Sequence, residues 1–145
     1  MKGFVVLACR LFVGGIFIYA SLDKLGHPQA FAQAISHYRI VPYPLLHLCA
    51  HLLPVVEFVA GSALVLGIGR RGAALLTGAM TLIFMAAIAS ALIRNLDISC
   101  GCFNTEGGHA VGLDLLWRDA ILLLLCLPPL LARNSGVALD RFFRK

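Results

Sequence analysis

The sequence predicts an all-α integral membrane protein, a four-helix bundle that forms one domain over residues 1–145. Of the 145 residues, 60% are hydrophobic and only 13% are charged, and the mean hydropathy is +0.90. A chain of this length cannot bury so many apolar side chains in a soluble core, because small domains leave much of their surface exposed. The apolar residues also fall into four runs, each close to the roughly 20 residues that cross a bilayer. We therefore expect lipid to cover the outside of the bundle.

Four membrane-spanning helices are predicted from these runs, at about residues 4–22, 45–68, 73–93 and 113–131. Between the first two, residues 29–38 are predicted to form a short interfacial helix in the first outer loop, which Pro42 and Pro44 would end. The second and third spans are joined by the short, glycine-rich segment 67–72. Such a connection predicts that these two spans form an antiparallel hairpin.

The Lys and Arg residues at the ends of the spans predict the orientation of the bundle. One side would carry Lys2, Arg70, Arg71, Arg133, Arg141, Arg144 and Lys145, and the other would carry Lys24, Arg39 and Arg94. Because cytoplasmic loops are enriched in basic residues, we expect both termini in the cytoplasm of a bacterium and the loop between the third and fourth spans in the periplasm. The net charge of +5 then reflects orientation in the inner membrane. It does not indicate nucleic-acid binding, since the basic residues are not interleaved with exposed aromatic residues.

The amino-terminal run has an alternative interpretation as a secretory signal peptide. Met1 and Lys2 precede an apolar run that ends near the small residues Ala20 and Ser21, as at a cleavage site. Arg10 interrupts that run, and the run is long for a signal core. A retained membrane span is therefore the favoured prediction.

The densest reactive chemistry lies between the third and fourth spans, where Cys100 and Cys102 are separated by one glycine. Such a pair closes into a small, strained disulfide ring or opens to a dithiol, and strained, exposed disulfides are the labile ones. A structural role is disfavoured because a bridge across so small a loop stabilises little. The pair is therefore predicted to be a redox centre, in a compartment where disulfides persist.

Zinc binding is the alternative for this pair. Structural zinc takes four ligands, usually with about two to four residues between paired cysteines, and a site here would have to recruit His109, His47 or Cys49. The prediction is therefore thiol chemistry without a metal. Cys49, predicted on the same side of the membrane, would resolve a mixed disulfide or relay electrons, or else simply pack. Cys9 and Cys126 are expected to be small core residues.

Charged residues inside the spans are a further signal, because charge in hydrocarbon is costly. At a rise of 1.5 Å per residue, Arg10 and Glu57 lie roughly 10 and 15 Å from the cytoplasmic face. The sequence therefore predicts a buried ion pair between them. The alternative makes Glu57 a proton carrier or a contact to a bound quinone.

A second polar layer is predicted beneath the cysteine loop. It comprises Asp23 and Lys24 on the first span, His47 and His51 on the second, and Arg118 and Asp119 on the fourth. A cation such as Lys24 or Arg118 near a cysteine would favour the reactive thiolate, although pairing and snorkelling at helix ends also explain these charges. The two histidines share a helix face at i,i+4 and would contact a quinone or fill the interface.

Several motifs together resemble those of one family of membrane proteins. They are Arg10 with Gly14, Gly15 and Ser21-x-x-Lys24; Tyr38-Arg39 with Pro42; Pro54-x-x-Glu57 with Gly61; and Asp97-x-x-Cys100-Gly101-Cys102-Phe103 followed by Arg118-Asp119. Over essentially its whole length the chain resembles the methylamine-utilisation MauE proteins, a branch of the DoxX-like four-helix membrane proteins. The run around the cysteine pair is the most specific part of the resemblance.

This resemblance implies thiol–disulfide exchange at Cys100 and Cys102 in the maturation of disulfide-containing periplasmic proteins, beside a thioredoxin-fold periplasmic partner. In the mechanism we expect, one thiolate attacks, the other cysteine resolves the mixed disulfide, and electrons pass to or from a membrane quinone near Glu57 or the two histidines. Two other functions stay open. One is a non-catalytic membrane subunit or chaperone, and the other is a small-solute or metal transporter whose path Arg10 and Glu57 would line.

Overall fold

The computed structural model describes residues 2–95 and 113–131, and every regular element in these two ranges is a helix. The elements are α1 (Lys2–Gly26), α2 (Pro28–His37), α3 (Tyr43–Leu66), α4 (Arg70–Ile93) and α5 (Leu113–Leu131). Three of them, α1, α3 and α4, are long and apolar enough to cross a membrane. The predicted all-α membrane protein is thus confirmed. The fourth span and the cytoplasmic placement of the termini stay predictions.

The helix boundaries follow from proline and glycine positions. Pro42 precedes α3 with an extended backbone, and Pro44 lies inside the first turn of that helix, where its missing N–H costs no hydrogen bond. At the other end, Gly67 adopts φ 78° and closes α3 as a left-handed cap. The Gly67 and Ile68 N–H groups both donate to the Ala63 carbonyl, at 2.8 and 3.0 Å. The chain then enters α4 at Arg70, and α3 and α4 pack against each other as the predicted hairpin.

One end of the bundle gathers the short helix, its two flanking connections, the end of α4 and the start of α5. α2 follows the last residue of α1, and the Arg94 guanidinium, just after α4, donates to the Tyr38 carbonyl at 3.1 Å. Leu115 and Leu116 in the first turn of α5 pack beside Tyr38 and Ile88. We call this end the α2 end. Segment 96–112, which contains the cysteine pair, therefore starts and finishes at the α2 end, although its own structure lies outside the described residues.

The outer surface of the bundle is apolar, whereas its interior holds small side chains and a few polar ones. Buried residues such as Val13, Phe17 and Leu64 form the main core, with α1 packed against α3 and α5. Large apolar side chains on the other faces of the long helices are exposed, for example Phe4, Val59 and Ile83. This distribution is what lipid contact requires. Cys9 and Cys126 are both buried, as predicted.

The tightest helix contact is the crossing of α1 and α3 at two glycines. A Cβ added to Gly14 would lie 2.8 Å from the Gly61 carbonyl oxygen, and one added to Gly61 would lie 2.9 Å from the Gly14 carbonyl oxygen. Each backbone therefore occupies the space that a side chain would need on the other helix. Small residues allow this close approach in membrane proteins, where van der Waals contact drives association.

Gly14→Ala is expected to destabilise the purified protein, whereas its neighbour Gly15→Ala is a matched control. The new methyl group at Gly14 meets backbone and the Val65 side chain, so overpacking should cost about 1–3 kcal/mol. A Cβ at Gly15 meets nothing within 4 Å and should be neutral or stabilise the helix by up to about 1 kcal/mol. Thermal unfolding in detergent measures both. Equal effects of the two substitutions would contradict the crossing.

Candidate functional site

The centre of the candidate site is a buried ion pair between α1 and α3. The Lys24 Nζ donates to both carboxylate oxygens of Glu57, at 2.7 and 2.8 Å. The two side chains are 2% and 3% exposed. A pair so fully removed from water is costly unless its hydrogen bonds are satisfied, and here both carboxylate oxygens accept one from the ammonium. The pair therefore holds the outer part of α1 to the middle of α3.

Two aromatic rings complete the surroundings of the Lys24 ammonium. Its Nζ lies 5.2 Å from the centre of the Phe31 ring on α2 and 5.0 Å from the centre of the Phe84 ring on α4. A cation within about 6 Å of an aromatic ring is attracted by the negative charge of the ring face. Lys24 thus joins α1, α2, α3 and α4 through one charged atom.

The fifth helix adds a second pair of charges beside the first. Arg118 Nη2 donates to the Asp119 Oδ1 at 3.2 Å, and Asp119 is buried whereas Arg118 is partly exposed. A cavity of about 30 Å³ lies between these residues and the Lys24–Glu57 pair, with Thr81 and Phe84 in its wall. That volume is enough for a water molecule, and the surrounding polar groups suit one. The four charges therefore form one polar cluster inside an otherwise apolar bundle.

The predicted ion pair between Arg10 and Glu57 is wrong. The Arg10 guanidinium instead donates to the carbonyl oxygens of Leu64 and Val65, at 3.0 and 3.2 Å. These carbonyls belong to the last turn of α3, which lacks helical partners and carries the negative end of the helix dipole. A Cβ at Gly67 would lie only 2.9 Å from the Arg10 Cζ, so the glycine also leaves room for the guanidinium. Arg10 therefore caps α3 from a neighbouring helix.

The direction of side chains along a helix explains why depth alone predicted the wrong partner. Side chains tilt toward the amino terminus of their own helix. Since α1 runs toward the α2 end and α3 runs away from it, Lys24 tilts into the bundle and Glu57 tilts up to meet it. Arg10 lies on the same helix as Lys24 and tilts in the same direction, so its side chain points away from Glu57 and toward the carboxyl end of α3. The similar depth of the Arg10 and Glu57 backbones therefore does not bring their side chains together.

Tyr38 links this cluster to the surface of the bundle at the α2 end. Burial, together with the negative charge of Asp119, raises the pKa of Tyr38 to about 12. The phenol is therefore a neutral hydrogen-bonding group throughout the physiological pH range. Because the Arg94 side chain binds the Tyr38 carbonyl, this residue is also fixed at the point where the chain leaves α4 for the segment with the cysteine pair.

The remaining predicted residues lie apart from the cluster. His47 and His51 are exposed on α3, and the His51 Nδ1 hydrogen-bonds the His47 carbonyl at 2.8 Å. Cys49 is half-buried on the same helix. Asp23, next to Lys24, lies 4.0 Å from the exposed His27. Within the described ranges, no three His, Cys, Asp or Glu residues are grouped to hold a metal ion.

Several predicted residues fall outside the described parts of the chain. They are Cys100, Cys102 and the candidate zinc ligand His109. Thiol chemistry and zinc binding at these residues therefore both stay predictions. What the structure adds is the polar cluster at the α2 end, the end at which the segment with these residues begins and finishes.

Sequence reasoning missed the aromatic part of the site. Phe31, Tyr38 and Phe84 surround the cluster, yet none of them was singled out for a role from its chemistry. An apolar residue on a membrane helix has the same sequence signal whether it faces lipid or the interior, since both environments are apolar. The one usable signal was Lys24 itself, because a buried ammonium needs a carboxylate and attracts aromatic faces.

Comparison with known proteins finds one family over most of the chain. The family model described as "Methylamine utilisation protein MauE" matches residues 2–132. The chain is 33% identical over 124 residues to the methylamine utilization protein MauE of Paracoccus denitrificans, covering 85% of this chain and 67% of that protein. It is 29% identical over 121 residues to the protein of the same name from Paracoccus versutus, covering 83% and 65%.

A third relative is matched over a shorter length. The chain is 31% identical over 99 residues to the methylamine utilization protein MauE of Methylophilus methylotrophus, covering 68% of this chain and 52% of that protein. The chain thus spans about two thirds of the length of the first two relatives and about half of the third. No solved structure matches the chain.

Proposed function

Because the chain belongs to the MauE family, we propose that it is a membrane thiol–disulfide oxidoreductase that acts through Cys100 and Cys102. The observation that carries the proposal is the pair itself, two thiols one residue apart in a chain with no other dense reactive motif. A strained ring of this size exchanges readily with other thiols. The segment with the pair begins and finishes at the end of the bundle that holds the polar cluster, which supports a site there.

The proposed reaction proceeds in two exchange steps. A thiolate of a partner protein attacks one sulfur of the Cys100–Cys102 disulfide, which forms a mixed disulfide and releases the other cysteine as a thiolate. A second thiolate of the partner then attacks the mixed disulfide, so the partner leaves oxidised and the pair leaves as a dithiol. Two electrons and two protons have moved to the pair. The reverse sequence reduces a partner disulfide.

The proposed partners are a thioredoxin-fold periplasmic protein and a disulfide-containing periplasmic substrate. The protein would lie in the bacterial inner membrane with the pair facing the periplasm, where disulfides persist. The names of its relatives refer to methylamine utilisation, and we propose that this chain serves maturation of a protein in such a pathway. A membrane quinone would exchange the two electrons with the pair.

The buried charges speak against the transporter alternative. A transport path needs polar groups that a solute can reach. Both oxygens of Glu57 are occupied by Lys24, and the Arg10 guanidinium is occupied by carbonyls at the end of α3. The two residues therefore have structural partners and do not offer a path through the bundle.

A labelling experiment in intact cells tests the proposed function and its orientation together. A membrane-impermeant thiol reagent is expected to modify Cys100 and Cys102 once the pair has been reduced externally, because the proposed orientation places the pair on the outside. Both chains carry Cys49→Ser, since Cys49 is a half-buried free thiol, and in that background the Cys100→Ser, Cys102→Ser variant is the control that should stay unlabelled. Labelling that needs a permeabilised inner membrane would contradict the orientation. A pair that no added dithiol reduces would contradict the redox role.

A further inference from the structure

The two rings beside Lys24 also line a second, larger cavity. It has a volume of about 300 Å³ and lies between α2, the loop that follows it, α3 and α4. The described residues of its wall are mostly apolar and include Phe31, Tyr38, Leu53, Phe84, Ala86 and Ala87. This volume is at the lower end of the range for pockets that bind small ligands, which are mostly apolar with a few polar groups. Among the described residues of the wall, Tyr38 is the one with a polar side-chain group.

The position of the cavity indicates that its ligand comes from the bilayer. Leu53 and Ile83 are each ten residues from the helix ends at the α2 end, so the cavity reaches roughly 15 Å below that end. Ile40 and Ile83 are 54% and 66% exposed, which means that the cavity opens on the apolar outer surface of the bundle. A ligand that enters here is apolar and partitions into lipid.

We propose that this cavity binds the ring of a membrane quinone. A quinone ring is electron-poor, and the partly exposed Phe84 ring in the wall offers an electron-rich surface, so offset stacking is favourable. The Tyr38 phenol, which belongs to the same wall, can donate a hydrogen bond to a carbonyl oxygen of the quinone. A lipid acyl chain would gain neither interaction.

The chemistry of the site fits a two-electron acceptor and rests on the proposed function. Two thiols and one quinone give one disulfide and one quinol, so both electrons and both thiol protons end on the quinone oxygens. Tyr38 in the cavity wall and Asp119 in the neighbouring polar cluster supply groups through which protons reach a ring held there. His47 and His51 are not among the described residues of this wall, and the quinone contacts predicted for them from the sequence stay a separate prediction.

Binding of decylubiquinone to the full chain in lipid nanodiscs tests the proposal. Ala87→Phe places a ring inside the cavity and should weaken binding about tenfold or more, since it displaces apolar contact area of the ligand. Ala79→Phe is the matched control, because Ala79 is an exposed residue of the same helix that does not line the cavity. Ala86→Phe repeats the test at the mouth of the cavity. Because Ala86 is exposed, the larger side chain there should disturb folding less than at Ala87.

The outcomes separate this proposal from the proposed function. Wild-type affinity in Ala87→Phe and Ala86→Phe, or equal loss in Ala79→Phe, would overturn the site. Equal competition by decanol, which has the chain but not the ring, would assign the cavity to acyl chains and overturn it as well. The Cys100→Ser, Cys102→Ser double variant should bind decylubiquinone normally. If the wild type binds quinone but its thiols never exchange, the proposed function fails while the site stands.

Discussion

Glu57→Gln is expected to lower the free energy of unfolding of the detergent-purified protein by about 3–5 kcal/mol, the usual cost of removing one partner of a buried ion pair. The substitution leaves the Lys24 ammonium buried without a counter-charge, and the two flanking rings offset only part of that loss. Lys24→Met should cost a similar amount because it strands the carboxylate. Thermal or denaturant unfolding in one detergent measures both variants.

A double-mutant cycle shows whether the two residues act as a pair. Combining Lys24→Met with Glu57→Gln removes both charges, so much of the loss should be recovered. The matched control combines Glu57→Gln with Arg10→Met, and there the two losses should add, because Arg10 binds the end of α3 instead of the carboxylate. Recovery in the control, or simple addition in the Lys24 cycle, would contradict the observed pairing.

Cys100→Ser or Cys102→Ser alone is expected to lower disulfide transfer to the periplasmic substrate by at least about 10³-fold, as when an enzyme loses its nucleophile. Both cysteines are needed in every cycle, because the electron-accepting disulfide requires two sulfurs: one joins the partner in the mixed disulfide and the other is released as a thiolate. The redox state of the substrate, followed by alkylation and mass, measures the effect. Full transfer by either single variant would favour the non-catalytic membrane subunit.

Cys49→Ser is the matched control for these cysteine variants. Cys49 lies half-buried on α3 and belongs to neither the polar cluster nor the larger cavity wall. If Cys49 only packs, transfer should stay near the wild-type rate. A loss comparable to that of Cys100→Ser would instead establish the relay role that was predicted for it as an alternative.

The sequence was sufficient for the helices because membrane spans leave a strong one-dimensional signal. Residues 4–22 and 73–93 were predicted where α1 and α4 occur, with each helix starting two or three residues earlier in the structure. The span predicted at 45–68 occurs as α3 at Tyr43–Leu66, two residues earlier at each end, because the helix begins after Pro42 and closes at Gly67. These features depend on local residues alone.

The partners of the buried charges could not be predicted in the same way. Arg10, Lys24 and Glu57 were each recognised as unusual, but the choice among them depends on helix direction, side-chain tilt and the register set by the Gly14–Gly61 crossing. That register places residue 18 of α1 opposite Glu57. Lys24 lies six residues further along α1, about 9 Å of helix, and the long side chains of the pair cover that distance. Depth along one helix carries none of this information.

The cavity wall was also beyond the reach of the sequence. Phe31 and Phe84 are 53 residues apart in the sequence, yet both lie beside Lys24 and line the same cavity. In a soluble protein an apolar residue that turns inward would stand out from its polar neighbours, whereas here the neighbours that face lipid are apolar too. Only the packing of the helices distinguishes apolar residues that face the interior from those that face lipid.

Trapping a mixed disulfide tests the central claim most directly. Cells that express Cys100→Ser or Cys102→Ser are quenched with acid, alkylated and separated without reductant, and adducts of the chain are identified by mass spectrometry. The account predicts that one of the two variants accumulates a disulfide-linked adduct with a thioredoxin-fold periplasmic protein, because in the reverse sequence its remaining thiolate attacks the partner's disulfide and the cysteine that would resolve the adduct is missing. The double variant should give none. Absence of any adduct from both single variants, with both present at wild-type abundance in the membrane, would contradict thiol–disulfide exchange by this pair.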